Sequence, residues 1–378
     1  MSSEIFEYMA SLYREASKEE DWLLSPMSIF MAMLMVMDGA REETRTEIMK
    51  TLGFESNAHV YDEIKQEFSE ACKKGTLVSA NLICMNDKFK IKEEYLNKEK
   101  EHHDTTVKSM DFSKPQDVAA EINQFVTHQT RQLIRDIIKV NDITGTEALF
   151  LLNAIYFKAN WSTPFNKDLT FTNTFYPVKG DTSFQTIYMT TVDTHLYSSY
   201  NRQSELNKCA EGVSLEFENG MRMVVVVPRE DKSLGALNAL LRGAKGVEYL
   251  RYLCSNSTYS KTEVSITIPK FELEHSSDLK EILHKMGIKL AFTQMANLTG
   301  MCDSALHVSK VAHKAIMKVD EEGVEAAAVT QCHIAPACCG APPKRLYIDR
   351  PFLVMIVTKQ DNIPVFMGNV VRPKNASA

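Results

Sequence analysis

Glu321-Glu322-Gly323-Val324-Glu325-Ala326-Ala327-Ala328-Val329-Thr330, continuing as Gln331-Cys332-His333-Ile334-Ala335-Pro336-Ala337-Cys338-Cys339-Gly340-Ala341-Pro342-Pro343, is the stretch on which the reading of this chain turns. Taken at period two, one side carries Val324, Ala326, Ala328, Thr330 and Cys332, and the other Glu325, Ala327, Val329, Gln331 and His333. The first side is small and mostly apolar and the second more polar, which is the alternation of a pleated strand. Small side chains also pass through a narrow gap, so the segment suits a strand that slides into a sheet. The proline-rich tract behind it cannot continue as a central strand, because proline offers no ladder donor. A short Ala-rich helix ending in a loop fits the same residues, and the pattern alone leaves both open.

Upstream, Ser25-Pro26 supplies a hydroxyl N-cap and a first-turn proline, and the apolar run to Met37 stops at Asp38-Gly39, so a buried helix is expected there. Val118, Ile122, Phe125, Leu133, Ile134 and Ile137 recur at helical spacing and predict one long surface helix over Gln116 to Lys139. Leu279, Ile282, Leu283 and Met286 predict another, stopped by Gly287. Strands are expected at Leu149 to Phe157, Met221 to Val227, Val264 to Leu273 and Phe352 to Thr358. Several are apolar on both faces, as in covered sheets, whereas Val264 to Ile268 alternates as a half-buried strand. Helices crowd the first part of the chain and strands the rest, without a βαβ rhythm, so the class is mixed α+β.

The chain has 378 residues, 44% hydrophobic and 24% charged, enough for a substantial core. Gly, Pro and Ser are scattered rather than gathered into linkers, which favours a single domain over 1–378. A net charge of −6 argues against nucleic acid or an anionic membrane as partner. The longest apolar run, Ile29 to Met37, is about half of the ~18 residues a membrane span needs. The first residues show no basic n-region or apolar h-region, so the chain is made in the cytosol or a leader was trimmed. Asn-x-Ser/Thr acceptors at Asn160, Asn256, Asn297 and Asn375 favour the secreted alternative.

The sequence holds no GxSxG, HExxH, GxxxxGK[ST] or GxGxxG signature, so an enzyme is not expected. Eight cysteines lack zinc-type CxxC pairs, and no metal or cofactor is expected. His102-His103-Asp104 is the one local cluster that invites a metal or acid–base role, and a solvated turn explains it better.

Several separated blocks resemble the serpin family in the family's order. They are Leu24-Ser25-Pro26-Met27-Ser28-Ile29 with Gly39-Ala40 and Thr44; Asn153-Ala154-Ile155-Tyr156-Phe157-Lys158 with Trp161 and Phe165; and Pro269-Lys270-Phe271 with Leu279, Leu283, Gly287 and Ala291-Phe292. His307 to Ala315 leads into the quoted stretch, and Arg350-Pro351-Phe352-Leu353 with Phe366-Met367-Gly368 closes the chain. Asp21 stands where the family usually has Asn, and Ala159 where it commonly has Gly. The resemblance implies the serpin fold, three β-sheets surrounded by helices, with an exposed reactive-centre loop at about 321–345.

It also implies a mechanism: a protease cuts the loop, becomes an acyl-enzyme, and is distorted as the loop enters the main sheet. The hinge would be Glu321, Glu322, Gly323, Val324, Glu325, Ala326, Ala327, Ala328, Val329 and Thr330, and the sheet-opening region would include Ser25, Pro26, Ser28, Asn153 and Trp161. Family spacing puts the cut bond at Ala337-Cys338, flanked by Ile334, Ala335, Pro336 and Cys339, with Cys338-Cys339 as the alternative. Pro336-Ala337 suits a small apolar primary pocket, hence an elastase-like serine protease. Val324 replaces the usual Thr or Ser of inhibitors, yet it is apolar and β-branched and can be buried. Acidic residues mixed into His59 to Lys74 argue against heparin binding. The other roles compatible with the resemblance are cysteine-protease inhibition and a non-inhibitory carrier, chaperone or storage function, and a monomer is expected.

Overall fold

The computed structural model describes residues 3–53, 58–102, 105–177, 182–198, 204–324 and 343–374. The first half of the chain forms α1 (Ser3–Ala16), β1 (Trp22–Leu24), α2 (Pro26–Gly39), α3 (Glu42–Leu52), α4 (Ala58–Lys73), β2 (Leu77–Asn86), α5 (Glu93–His102), β3 (Thr106–Met110), α6 (Pro115–Gln129), β4 (Leu149–Phe157), β5 (Ala159–Asn160), β6 (Phe171–Phe175) and β7 (Phe184–Ser198). The second half forms α7 (Glu205–Cys209), β8 (Ala210–Glu216), β9 (Arg222–Pro228), α8 (Leu234–Arg242), α9 (Gly246–Cys254), β10 (Ser260–Pro269), β11 (Phe271–Asp278), α10 (Lys280–Met286), β12 (Val308–Val319), β13 (Gly323–Val324), β14 (Lys344–Tyr347), β15 (Phe352–Val357) and β16 (Pro364–Val370).

Chain contacts divide into two compact units, each assembled from separate stretches of sequence. The first takes Met1–Ala16, Leu24–Tyr156 and His275–Ile316, and the second Ser17–Leu23, Phe157–Glu274 and Met317–Ala378. The first unit is organised on a five-stranded sheet in the order β11-β12-β4-β2-β3. β12 and β4 run parallel and adjacent, with Lys310 opposite Phe150, His313 opposite Asn153 and Ile316 opposite Tyr156. One face of this sheet offers Leu82, Cys84, Phe150, Leu152, Ala154, Tyr156, Ala312 and Ile316, and α6 covers it with Val118, Ala119, Ile122 and Val126. Every residue of β4 is buried, as its unbroken apolar run implies.

α2 forms as its caps dictate. Ser25 Oγ accepts from Ser28 N–H at 3.3 Å, and Pro26 opens the first turn. The long helix expected over Gln116 to Lys139 stops ten residues early. Thr130 turns its hydroxyl back to the Val126 carbonyl (2.7 Å), and Arg131 and Gln132 take left-handed φ of 52° and 68°. Ile134 and Ile137 still reach the core from this irregular stretch, with Ile138 beside them, so the spacing of the first two reported burial correctly and the wrong element.

The second unit holds the larger sheet, with β1-β16-β15-β9-β8-β7-β10-β14 in order and β6 also paired to β7. The strand expected from Val264 to Leu273 is two strands. β10 ends at Pro269, Lys270 N–H binds the Ile187 carbonyl (2.8 Å), and β11 belongs to the five-stranded sheet. Helices α7 to α9 interrupt the later, strand-rich half at positions where no helix was expected. No helix among the described residues is long and apolar enough to cross a membrane.

Candidate functional site

In the first unit, Ser25, Ser28, Asn153 and two residues that sequence reasoning did not single out, Asn81 and His313, form one buried polar network. Asn153 Nδ2 donates to Ser28 Oγ and to Asn81 Oδ1, each at 2.6 Å. The Asn153 Oδ1 lies 2.6 Å from His313 Nδ1, and Ser25 N–H donates to His313 Nε2 at 3.2 Å. Because Nε2 accepts, Nδ1 must carry the proton, so the imidazole is the neutral Nδ1–H tautomer. Burial pushes its pKa down to about 3, and His275 nearby adds to the shift. The network thus ties β4, β12 and β2 to the start of α2. His313 lies in the His307 to Ala315 block, where Lys310 and Lys314 on the same strand leave no sequence signal that the ring is covered.

In the second unit, Trp161 anchors the chain that follows β12. Its indole stacks on Phe217 (centroids 4.5 Å apart, planes at 10°) and meets Phe165 edge-on, and its Nε1–H donates to the Asp320 carbonyl at 2.9 Å. The backbones are tied as well, with Trp161 N–H on the Glu322 carbonyl (2.9 Å) and Phe165 N–H on the Glu321 carbonyl (2.8 Å). The chain reverses here. Asp320 Oδ1 accepts from Glu322 N–H (2.9 Å) and Gly323 N–H (3.2 Å), while Asp320 N–H donates to the Gly323 carbonyl (2.9 Å).

Gly323 and Val324 then pair antiparallel with Asn160 and Ala159. Gly323 has φ of +152°, and a Cβ on it would sit 2.1 Å from the Ala159 carbonyl oxygen, so only glycine fits. Val324 is fully buried against this pairing, before any cut in the loop. The expectation that insertion would newly bury Val324 is therefore replaced: its burial belongs to the uncut chain.

Glu321 is almost entirely buried and held from two sides, by Lys270 Nζ on Oε2 (2.9 Å) and Thr170 Oγ1–H on Oε1 (2.7 Å). Burial alone would raise its pKa, but the hydrogen bonds from Lys270 and Thr170 outweigh it and hold the carboxyl below its ordinary range. Glu322 pairs with Lys167. Lys270, Thr170, Lys167 and Asp320 were not expected from the sequence, because each is distant in the chain or looks like an ordinary surface polar residue. Glu325 to Thr330, Ile334, Ala335, Pro336, Ala337, Cys338 and Cys339 lie outside the described residues, as does the His103-Asp104 part of the histidine cluster. Among the described residues no group of His, Cys, Asp and Glu is placed to hold a metal ion.

A protein-family model described as Serpin (serine protease inhibitor) matches residues 5–373. The chain belongs to the serpin family. This serpin is 32% identical to human neuroserpin over 97% of this chain and 89% of that protein, and 30% identical to human Serpin B4 over 97% of both. Among solved structures, it superposes on Serpin48 of the insect Tenebrio molitor with a TM-score of 0.84 at 26% identity, covering 98% of this chain and 97% of the other. Uncleaved ovalbumin gives 0.85 at 23% identity, which speaks to the fold alone, over 98% and 99% of the two chains. The fold is the mixed α and β serpin fold that the blocks of sequence implied.

Proposed function

We propose that this serpin inhibits serine proteases by offering the chain at about 321–345 as bait, with the whole of 1–378 working as one inhibitory domain. The observation that carries the reading is the parallel, directly adjacent pairing of β4 and β12, with β12 running on into a tight reversal at Asp320–Val324. A segment that follows β12 and turns back is antiparallel to both strands. Entry between them would replace one parallel ladder by two antiparallel ones, with a net gain of hydrogen bonds. The alternation and small side chains of Glu325 to Thr330 suit such an entry.

In the chemistry proposed, the protease serine attacks the Ala337 carbonyl and forms an ester. The Ala337–Cys338 amide breaks, and the departing nitrogen leaves as the protonated amine of Cys338. Pro336-Ala337 supports an elastase-like target, and the four Asn-x-Ser/Thr tripeptides support export of the chain. The test is incubation with a panel of serine proteases followed by denaturing electrophoresis and mass spectrometry. A complex that survives boiling in SDS, with the protease joined at Ala337, is expected with elastase-like enzymes. Clean turnover of the loop by every serine protease in the panel would overturn the inhibitory reading.

A further inference from the structure

α5 buries the carboxyl of Glu99. Glu99 has no exposed surface, and among the described residues neither of its oxygens has a hydrogen-bond partner of good geometry, although the Tyr95 hydroxyl lies beside it. Buried acids are ordinarily paired, since a charge left alone in an apolar site is far costlier than one in water. Tyr95, one turn earlier on α5, commits its hydroxyl to the Met35 carbonyl of α2 (3.0 Å). Lys98 pairs instead with Asp38 at the end of α2 (2.8 Å). Those two contacts close α5 onto α2, and Glu99 sits beside them.

The charged groups facing Glu99 come from three helices: Asp38 of α2, Lys98 with the Tyr95 phenol of α5, and Lys65 of α4. Burial raises the Glu99 pKa from 4.5 to about 8, Asp38 adds to the rise, and Lys98, Lys65 and the Tyr95 hydroxyl oppose it. Hence the carboxyl is mostly neutral at pH 7 while α5 is closed, and it ionises near its ordinary value once α5 opens and water reaches it.

We propose that Glu99 is a proton-controlled latch: protonated, it lets α5 stay closed on α2, and its ionisation drives the local opening of α5. A closed state that binds a proton more tightly than the open one loses ground as pH rises between the two pKa values, by ~10-fold in the opening equilibrium per pH unit. The effect starts near pH 4.5 and levels off near pH 8, where both states are ionised.

The experiment is amide hydrogen exchange followed by mass spectrometry on the full chain from pH 5 to 9, corrected for the intrinsic pH dependence of exchange. Peptides of α5 are compared with those of α8, which contains no carboxylate. The expected result is an α5 opening constant that climbs ~10-fold per unit to about pH 8 and then flattens, with α8 unchanged. Glu99→Gln and Glu99→Met should both make the α5 profile flat, two variants being used because either alone could perturb packing. A flat profile in the unaltered protein, or a climb that survives in either variant, would overturn the latch.

Discussion

His313 on β12 and Asn153 on β4 are register partners in a parallel ladder, and 2.6 Å separates the imidazole Nδ1 from the amide Oδ1. The same two residues carry the network to Ser28, Asn81 and the Ser25 amide. One hydrogen-bonded set therefore fastens the seam between the two strands that the proposed insertion must part. Strands that pair directly would separate by about 5 Å to admit a third, so this set must break or rearrange.

Acid should loosen that seam through His313. Its folded pKa of about 3 lies below the ordinary 6.5, so the unfolded chain binds the extra proton between these values. Stability is then complete above about pH 6.5 and falls as pH drops toward about 3, by up to ~1.4 kcal/mol per pH unit for this group. Chemical denaturation at pH 7, 6, 5 and 4 should give a shallower fall for His313→Gln than for the unaltered chain. Equal slopes would mean that His313 does not stay neutral on folding.

Asn153→Ala should cost about 2–3 kcal/mol, because it leaves the His313 and Ser28 groups buried without their partner. The melting temperature should fall by several degrees, and the loss should be sub-additive with His313→Ala, since both remove the same bond. Full additivity in the double mutant would show that the two side chains act independently.

Glu321→Gln tests the strap below the loop. The substitution keeps the Thr170 contact and discharges the pair with Lys270, for an expected loss of about 1–2 kcal/mol at pH 7. The sign with pH follows from a lowered folded pKa: the stabilisation is present above the ordinary glutamate value of 4.5 and is lost as pH falls through the folded one. The gap between variant and unaltered protein should therefore close in acid, as read from unfolding midpoints across pH 2.5 to 7.

Charge placed at two neighbouring alternate positions should act differently. Val324 is buried in the uncut chain, so Val324→Arg should destabilise the folded protein itself, by several kcal/mol. Ala326→Arg, two residues further along the same side of the alternation, should convert the protein from inhibitor to substrate. Thermal unfolding and the ratio of complex to cleaved product separate these outcomes, and unchanged inhibition by Ala326→Arg would place the hinge elsewhere.

A cut between Gln331 and Cys339 should raise stability rather than lower it. Insertion would add backbone hydrogen bonds worth on the order of 1 kcal/mol each, with Val324, already paired, not counted among them. A rise of tens of degrees in melting temperature is expected after a confirmed cut. An equal or lower value would remove loop insertion from the proposed mechanism.

Where local chemistry decides an element, the sequence alone was enough. Ser25 and Pro26 specify the start of α2 whatever surrounds them, the unbroken apolar run specifies β4 as a covered strand, and Gly287, at φ of +122°, ends α10. The serpin fold was legible too, since its blocks are spaced along nearly the whole chain.

Tertiary structure alone decided the rest, because periodicity records which residues are buried and not which backbone carries them. Ile134 and Ile137 look helical in sequence and are buried from an irregular stretch, and Val264 to Leu273 reads as one strand until the break at Lys270 sends its halves to different sheets. The same limit hid Lys270 as the partner of Glu321, Asn81 as the partner of Asn153, and the complete burial of Glu99. A charge or an amide shows its role only when folding brings its distant partner within hydrogen-bond reach.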